Sequence, residues 1–320
     1  MKLLTKASLL ALSVMSTSTF AADYTLKLGH VANEDHVWHQ AFEYFAETVD
    51  KKSEGRLNID IYPNSQLGAE RDVISGIQLG TVDMTMSGET LQNWAPKAAL
   101  LAVPYAIRDS EHMVKVADGE IGKEIEQEIT ARTGLVPLTW FERGARNLTT
   151  NKPINEPSDL KGLTIRVPNV PIFVSTWSAL GAKPTPMAFS EVFTALQQST
   201  VNGQENPLSL IESASFFEVQ KYVNKTEHVR SWIYVLIGKR QLDKLPQDLQ
   251  QILLESAEEM HDFEHKLAVE EETKLIKRLQ DKGMQFNDVD QEKFRELAIP
   301  AVKNSLKGEA LELFEQIQQL

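Results

Sequence analysis

Apolar and polar positions alternate through "YTLKLGHV" (24–31), as in a strand, and the period then changes. In "AFEYFAETVDKKSEG" (41–55), Phe42, Phe45, Ala46 and Val49 fall on one face of a helix that Gly55 stops. "RLNIDIYP" alternates again through Leu57, Ile59 and Ile61, "RDVISGIQLG" returns to helical spacing, and "TVDMTM" reads as a strand. The order strand, helix, strand, helix, strand predicts a mostly parallel sheet covered by helices. An amphipathic segment from Glu111 to Thr133 precedes a second such run. There "GLVPLTWF" and "LTIRVPN" read as strands, and "PIFVSTWSALG" and "SEVFTALQQST" as helices, the latter with Ser190 as N-cap. "VNGQENP" reads as a strand that ends in a turn.

Two α/β units in series predict two lobes. Without a Gly/Ser-rich or Pro-rich linker between them, several segments are expected to cross from one lobe to the other. Helical spacing is sustained from Leu249 through Leu279, with Pro246 near the start and Gly283 past the end. A helix over 246–282 would be on the order of 50 Å long, enough to brace both lobes. The expected division is 23–143 with 232–271 in one lobe, and 144–231 with 272–320 in the other.

Residues 1–22 have Lys2 and Lys6, an apolar run from Ala7 to Met15 and small residues up to Ala22, the layout of a secretory signal peptide. That run is too short for a permanent membrane anchor, and no later stretch approaches the roughly 20 apolar residues of a spanning helix, so no direct membrane insertion is expected. The 320 residues include no cysteine, which removes disulfides and thiolate chemistry from consideration. A formal net charge of -12 argues against nucleic acid as a partner. An anion would have to be held by local cations, so individual arginines matter.

The chain has no Gly-rich phosphate loop and no G-x-S-x-G elbow. His36 with His39, and His261 with His265, offer two ligands each, short of a metal site. Binding is therefore favoured over catalysis, with no cofactor and no metal expected; an exported enzyme using Glu70, Glu142 or Glu205 as acid and base is the competing reading, and a scaffold protein a third. Arg143 and Arg146 in "WFERGARNLTTN", Arg166 in "GLTIRVPN", and Glu205 with Asn206 in "VNGQENP" all fall near carboxyl ends of predicted strands, where open α/β sheets bind ligands. A guanidinium can grip a carboxylate with two parallel hydrogen bonds. Internal ion pairing is the alternative for each arginine, and Phe189 reads as core or as a platform for a ligand.

The run from "RGARNLTTN" through "RVPN" and "PTPMAFSEVF" to "GQENP" resembles the solute-binding proteins of TRAP transporters, the DctP-like family. "IYPNSQLGAERDVISGIQLGTVDMTMSG", "FFEVQKYV" and "LPQDLQQIL" extend the resemblance over nearly the whole mature chain. It implies a periplasmic binding protein-like fold whose lobes close over a small organic acid and deliver it to a membrane permease. It further implies that Arg166 clamps the substrate carboxylate, that Arg146 and Asn206 add contacts, that Phe189 packs against the bound molecule, and that Glu70 binds hydroxyls. Glu89 occupies an acidic position shifted by one from the sialic-acid pattern. Asn33, His36, Glu70, Glu89 and Trp232 are the expected readers of the rest of the ligand. They suit hydroxyls, whereas a dicarboxylate would need a second cationic clamp. The expectation is a monomeric periplasmic receptor for a sugar acid such as an aldonate or uronate, with sialic acid, a C4-dicarboxylate or a keto acid as alternatives.

Overall fold

The computed structural model describes residues 22–320. The expected leader falls, but for its last residue, outside the described residues. Nine strands form one sheet: β1 (Tyr24–Gly29), β2 (Leu57–Tyr62), β3 (Met84–Ser87), β4 (Leu135–Thr150), β5 (Thr164–Val167), β6 (Lys183–Pro186), β7 (Gly203–Pro207), β8 (Tyr222–Gly238) and β9 (Gln285–Asn287). Their order is β2-β1-β3-β8-β4-β7-β5-β6, with β9 beside β8. At one end β1 runs parallel to β2 and β3, and at the other β5 runs parallel to β6 and β7. Between these halves lies a long antiparallel pair, β4 with β8. Both parallel halves expected from the periodicity are present, joined by two strands that run through both.

Among the described residues, eleven α-helices clothe the sheet: α1 (Val37–Lys52), α2 (Glu70–Leu79), α3 (Ser110–Ala117), α4 (Glu120–Thr133), α5 (Pro171–Ala179), α6 (Val192–Gln197), α7 (Leu208–Ser213), α8 (Lys239–Leu242), α9 (Gln247–Asp281), α10 (Gln291–Ser305) and α11 (Glu309–Ile317). The periodicity placed the long helix within one residue at each end. Its Leu249, Leu253 and Met260 pack with Phe42 and Phe45 of α1 in one cluster. Its Leu279 packs with Val192, Ile211 and Phe216 in another. Ion pairs extend the same bridge, from Glu259 to Lys52 on α1 and from Arg278 to Glu212 on α7. A third cluster gathers α3, α4, α5, α10 and α11 around Met113, Ile125, Trp177, Phe294 and Phe314. Here α11 returns to the first half, where His112 Nε2 meets the Ile317 carbonyl oxygen at 2.9 Å.

Several local expectations are corrected. The amphipathic segment 111–133 divides into two helices, with Asp118 capping α3 and Gly119 preceding α4. A Cβ at Gly122 would lie 1.8 Å from the Ala117 carbonyl oxygen, so the tight junction needs glycine there. β4 does not stop at Phe141 but continues to Thr150, with register shifts against β8 between Arg143 and Arg146 and again before Leu148. Extra residues are accommodated as bulges, which re-aim the side chains around them. Ser190 is not an N-cap: Phe189–Glu191 form a 3-10 turn, and the Ala188 amide donates to Glu191 Oε2.

Candidate binding site

The site grows from the register of β4, β7 and β5. Arg146 pairs with Pro207 and Leu148 with Glu205, so Arg146 and Glu205 share a face of the sheet. Arg166 pairs with Gln204 on β7, which puts Arg166, Gln204 and Asn206 together on the other face. Arg166, Arg146, Asn206 and Glu205 are all buried.

Arg146 is committed within the protein. Its Nε lies 2.5 Å from Glu205 Oε2, its Nη2 lies 2.8 Å from Glu205 Oε1 and 2.7 Å from the Glu205 carbonyl oxygen, and its Nη1 reaches Glu89 Oε1 at 3.5 Å. The guanidinium carbon sits 5.2 Å from the ring centre of Phe173. Of the two readings open for this arginine, an internal ion pair describes its side-on edge, and Nη1 is the donor left for anything else. Burial alone would raise the Glu205 carboxyl, but Arg146 and His228 outweigh it and hold it down at about 2. His228 Nδ1 lies 2.9 Å from Thr226 Oγ1 and Nε2 lies 2.9 Å from Glu205 Oε2, so the neutral ring donates to the carboxylate from Nε2.

Arg143, at the bulge, donates to Glu89 Oε2 at 2.6 Å. Glu89 is thus shared by Arg143 and Arg146. Burial works to raise its carboxyl, and the two guanidiniums keep it below the usual range.

Arg166 differs. Its Nε and Nη2 donate to the Met187 carbonyl oxygen at 3.1 and 2.7 Å, and among the described residues it forms no ion pair. Burial pulls its guanidinium down to about 10, still charged at neutral pH. The carbonyl occupies the side-on edge, which leaves the end-on fork of Nη1 and Nη2 to receive a carboxylate. Asn206 is oriented by a relay: its Nδ2 donates to Gln204 Oε1 at 2.6 Å, and Gln204 Nε2 donates to Thr149 Oγ1 at 2.9 Å. Phe189, half-buried, stands 5.8 Å edge-on from Phe216.

Glu70, at the first turn of α2, accepts from Ser87 and, at 2.9 Å, from Thr90 Oγ1. Burial and the Glu89 charge raise its carboxyl. Three buried guanidiniums therefore face two firmly ionised carboxylates and one that resists ionisation, an imbalance that an added anion would correct.

The remaining expected residues lie elsewhere. Asn33 and His36 line a cavity of about 680 Å³ whose walls do not include Arg166, Arg146, Asn206 or Phe189. Asn33 is engaged with Ser213: its amide and Nδ2 donate to Ser213 Oγ and O at 3.2 and 3.1 Å, and Ser213 Oγ donates to its Oδ1 at 3.0 Å. His36 caps α1, its Nδ1 accepting from the Trp38 amide at 3.1 Å. Trp232 is a core residue, fully buried among apolar side chains, because β8 is covered on both faces. Arg230 is paired with Glu227 at 3.1 Å, and the exposed Arg71 lies over Trp94 at 5.5 Å. Met187, Ser87, Thr90 and His228, which hold the charged groups in place, carried no sequence signal, since each acts across a long stretch of chain.

Residues 28–309 match the family model for the bacterial extracellular solute-binding protein, family 7 (DctP). A crystal structure of a TRAP periplasmic solute-binding protein from Roseobacter denitrificans with bound L-galactonate is 50% identical and superposes with a TM-score of 0.92, covering 93% of this chain and 99% of that one. A TRAP periplasmic solute-binding protein from Polaromonas bound to D-erythronate is 35% identical, with a TM-score of 0.88 over 93% of this chain and 99% of the other. The 2,3-diketo-L-gulonate-binding periplasmic protein of Escherichia coli is 36% identical over 286 residues, covering 88% of this chain and 87% of that protein.

Proposed function

We propose, for a chain that belongs to the bacterial extracellular solute-binding proteins of family 7, that it captures a hydroxylated monocarboxylate of the aldonate or uronate class and delivers it to a TRAP membrane permease. The observation that carries this reading is Arg166: a buried guanidinium, oriented by the Met187 carbonyl, with no carboxylate of its own. A charge left unpaired in a low-dielectric site favours an anionic guest, and the end-on fork fits a carboxylate. Asn206, on the same face of the sheet as Arg166, adds a donor, and Phe189 supplies an apolar face. Glu70 is suited to hydroxyl groups, and the ionised Glu89 near it disfavours a second carboxylate at that end. The relatives crystallised with L-galactonate and D-erythronate carry ligands of this chemistry.

In this mechanism the acid docks on Arg166, and contacts from the half holding Glu70 then favour the closed arrangement by their differential affinity. The lobes divide as the sequence implies except at α11, which returns to the first lobe, so that β4, β8, α9 and the link from α10 to α11 are the connections. The receptor works as a monomer in the periplasm after removal of its leader, and releases its ligand unchanged. Calorimetric titration of the mature chain with L-galactonate, D-galacturonate, succinate and N-acetylneuraminate tests the assignment. Binding of a sugar acid at micromolar concentration or below is the expected result; a response to succinate alone would overturn it.

A further inference from the structure

The cavity of about 680 Å³ beside Asn33 lacks Arg166, Arg146, Asn206 and Phe189 in its walls, and it adjoins their site through Arg143, Asn147 and Pro207. Its walls come from the start of α1, the bulge of β4, α7, β8 and α9. The volume falls within the range of small-molecule pockets, which are largely apolar with a few placed polar groups. Trp38, Leu208, Phe217, Leu275 and Phe286 supply the apolar surface.

Three wall residues also carry buried polar atoms with no partner: His36 Nε2, Arg143 Nε and Glu264 Oε1. They gather around one side chain. The His36 ring lies 4.5 Å from the Trp38 ring, and the Arg143 guanidinium lies 5.9 Å from it. Glu264, only 1% exposed, lies beside Trp38. Their chemical needs can be read off. His36 Nδ1 accepts a backbone N–H, so in the neutral ring Nε2 carries the proton and lacks an acceptor. Arg143 Nε–H also lacks an acceptor, and Glu264 lacks a partner on Oε1. A hydroxyl group both accepts and donates, the combination of roles that these three atoms call for. A buried polar atom left without a partner is uncommon, and such a cluster is a reason to look for a guest.

Charge narrows the guest further. Each cationic side chain of the walls already has a carboxylate: Arg143 has Glu89, Lys225 has Asp288, Arg230 has Glu227, and Arg278 and Lys282 share Glu212. No cation remains in these walls to hold an anion; the carboxylates Asp35, Glu142 and Glu272 also line the cavity, and the hexylammonium control tests whether they draw a cation.

We propose that this cavity is a second binding site, for an uncharged, hydroxyl-bearing small molecule with an apolar portion, of the kind represented by an alkyl glycoside. The inference does not depend on the identity of the acid bound at Arg166.

The test uses the full mature chain and n-hexyl β-D-glucoside, with hexanoate and hexylammonium as charged controls, and reads binding by saturation-transfer NMR. The glucoside is expected to bind about tenfold more tightly than either ion, and to bind Arg166→Ala as it binds the unsubstituted protein. Ala268→Trp and Ser209→Trp, which fill the cavity from α9 and α7, are expected to abolish binding. In the unsubstituted protein, the Trp38 indole N–H resonance is expected to shift on titration, a readout that needs no variant to fold. A stationary Trp38 resonance, loss of binding in Arg166→Ala, retention in both filled variants, or preference for either ion would overturn the proposal.

Discussion

Glu205 holds Arg146 along its side-on edge, with Oε2 2.5 Å from Nε and Oε1 2.8 Å from Nη2, both residues lying on one face of adjacent antiparallel strands. Two strands away, Arg166 has a carbonyl oxygen where Arg146 has a carboxylate. The same residue type thus serves two purposes, and the two should separate on substitution. Removing one partner of a buried ion pair strands the other, at a cost of about 3–5 kcal/mol. Arg146→Ala and Glu205→Gln are each expected to lose stability on that scale in urea unfolding.

Arg166→Met should behave in the opposite way. Burial disfavours its charge and no carboxylate compensates, so the unliganded variant is expected to be as stable as the parent or more so. Affinity for the sugar acid, measured by calorimetry, should fall at least about a hundredfold, as for a charge-assisted contact worth about 3 kcal/mol. Arg166→Lys should recover little, because an ammonium has no fork.

Glu264 ties stability to pH. Burial, with Glu142 nearby, pushes its carboxyl up to about 8 from 4.5. A raised carboxyl favours the folded state most below the unfolded value, and that contribution is lost as pH rises through 4.5 to about 8. Over this window the slope is up to about 1.4 kcal/mol per pH unit. Glu264→Gln cannot titrate, so its stability relative to the parent should rise with pH across the window in chemical denaturation. A constant difference would remove the carboxyl from this role.

The Asn33–Ser213 pairing joins the loop before α1 to the end of α7 by three hydrogen bonds. If closure forms this pairing, its loss should weaken sugar-acid binding without touching the ligand. Ser213→Ala is expected to lower affinity about fivefold, the net worth of roughly one hydrogen bond. Asn33→Ala added to it should cost less than the sum of the two, as a double-mutant cycle would show.

Much of this architecture was legible where period and burial agree. β1, β2, α1 and α9 each present one apolar face or stripe, and their patterns located them. β8 was missed because its two faces are both covered, so residues from His228 to Gly238 are nearly all buried and nothing alternates. β6 reads "KPTP", and its two prolines argue against a strand unless it lies at an edge, which it does. At the candidate site, the sequence singled out Arg166, Asn206 and Phe189, and the register places Arg166 and Asn206 on one face. Which arginine was already paired was not, because Glu205 meets Arg146 only through the register of β4 on β7.

The long antiparallel strands impose an order on assembly. Ser87 of β3 finds its neighbour in Tyr234, and no earlier strand covers that edge. A chain emerging from its amino end must therefore hold an open sheet margin until most of the sequence has appeared, and late-closing, long-range pairings are slow to form. Neither half is expected to be a self-sufficient fragment, and a truncation before β8 should yield aggregation-prone polypeptide rather than a working single lobe.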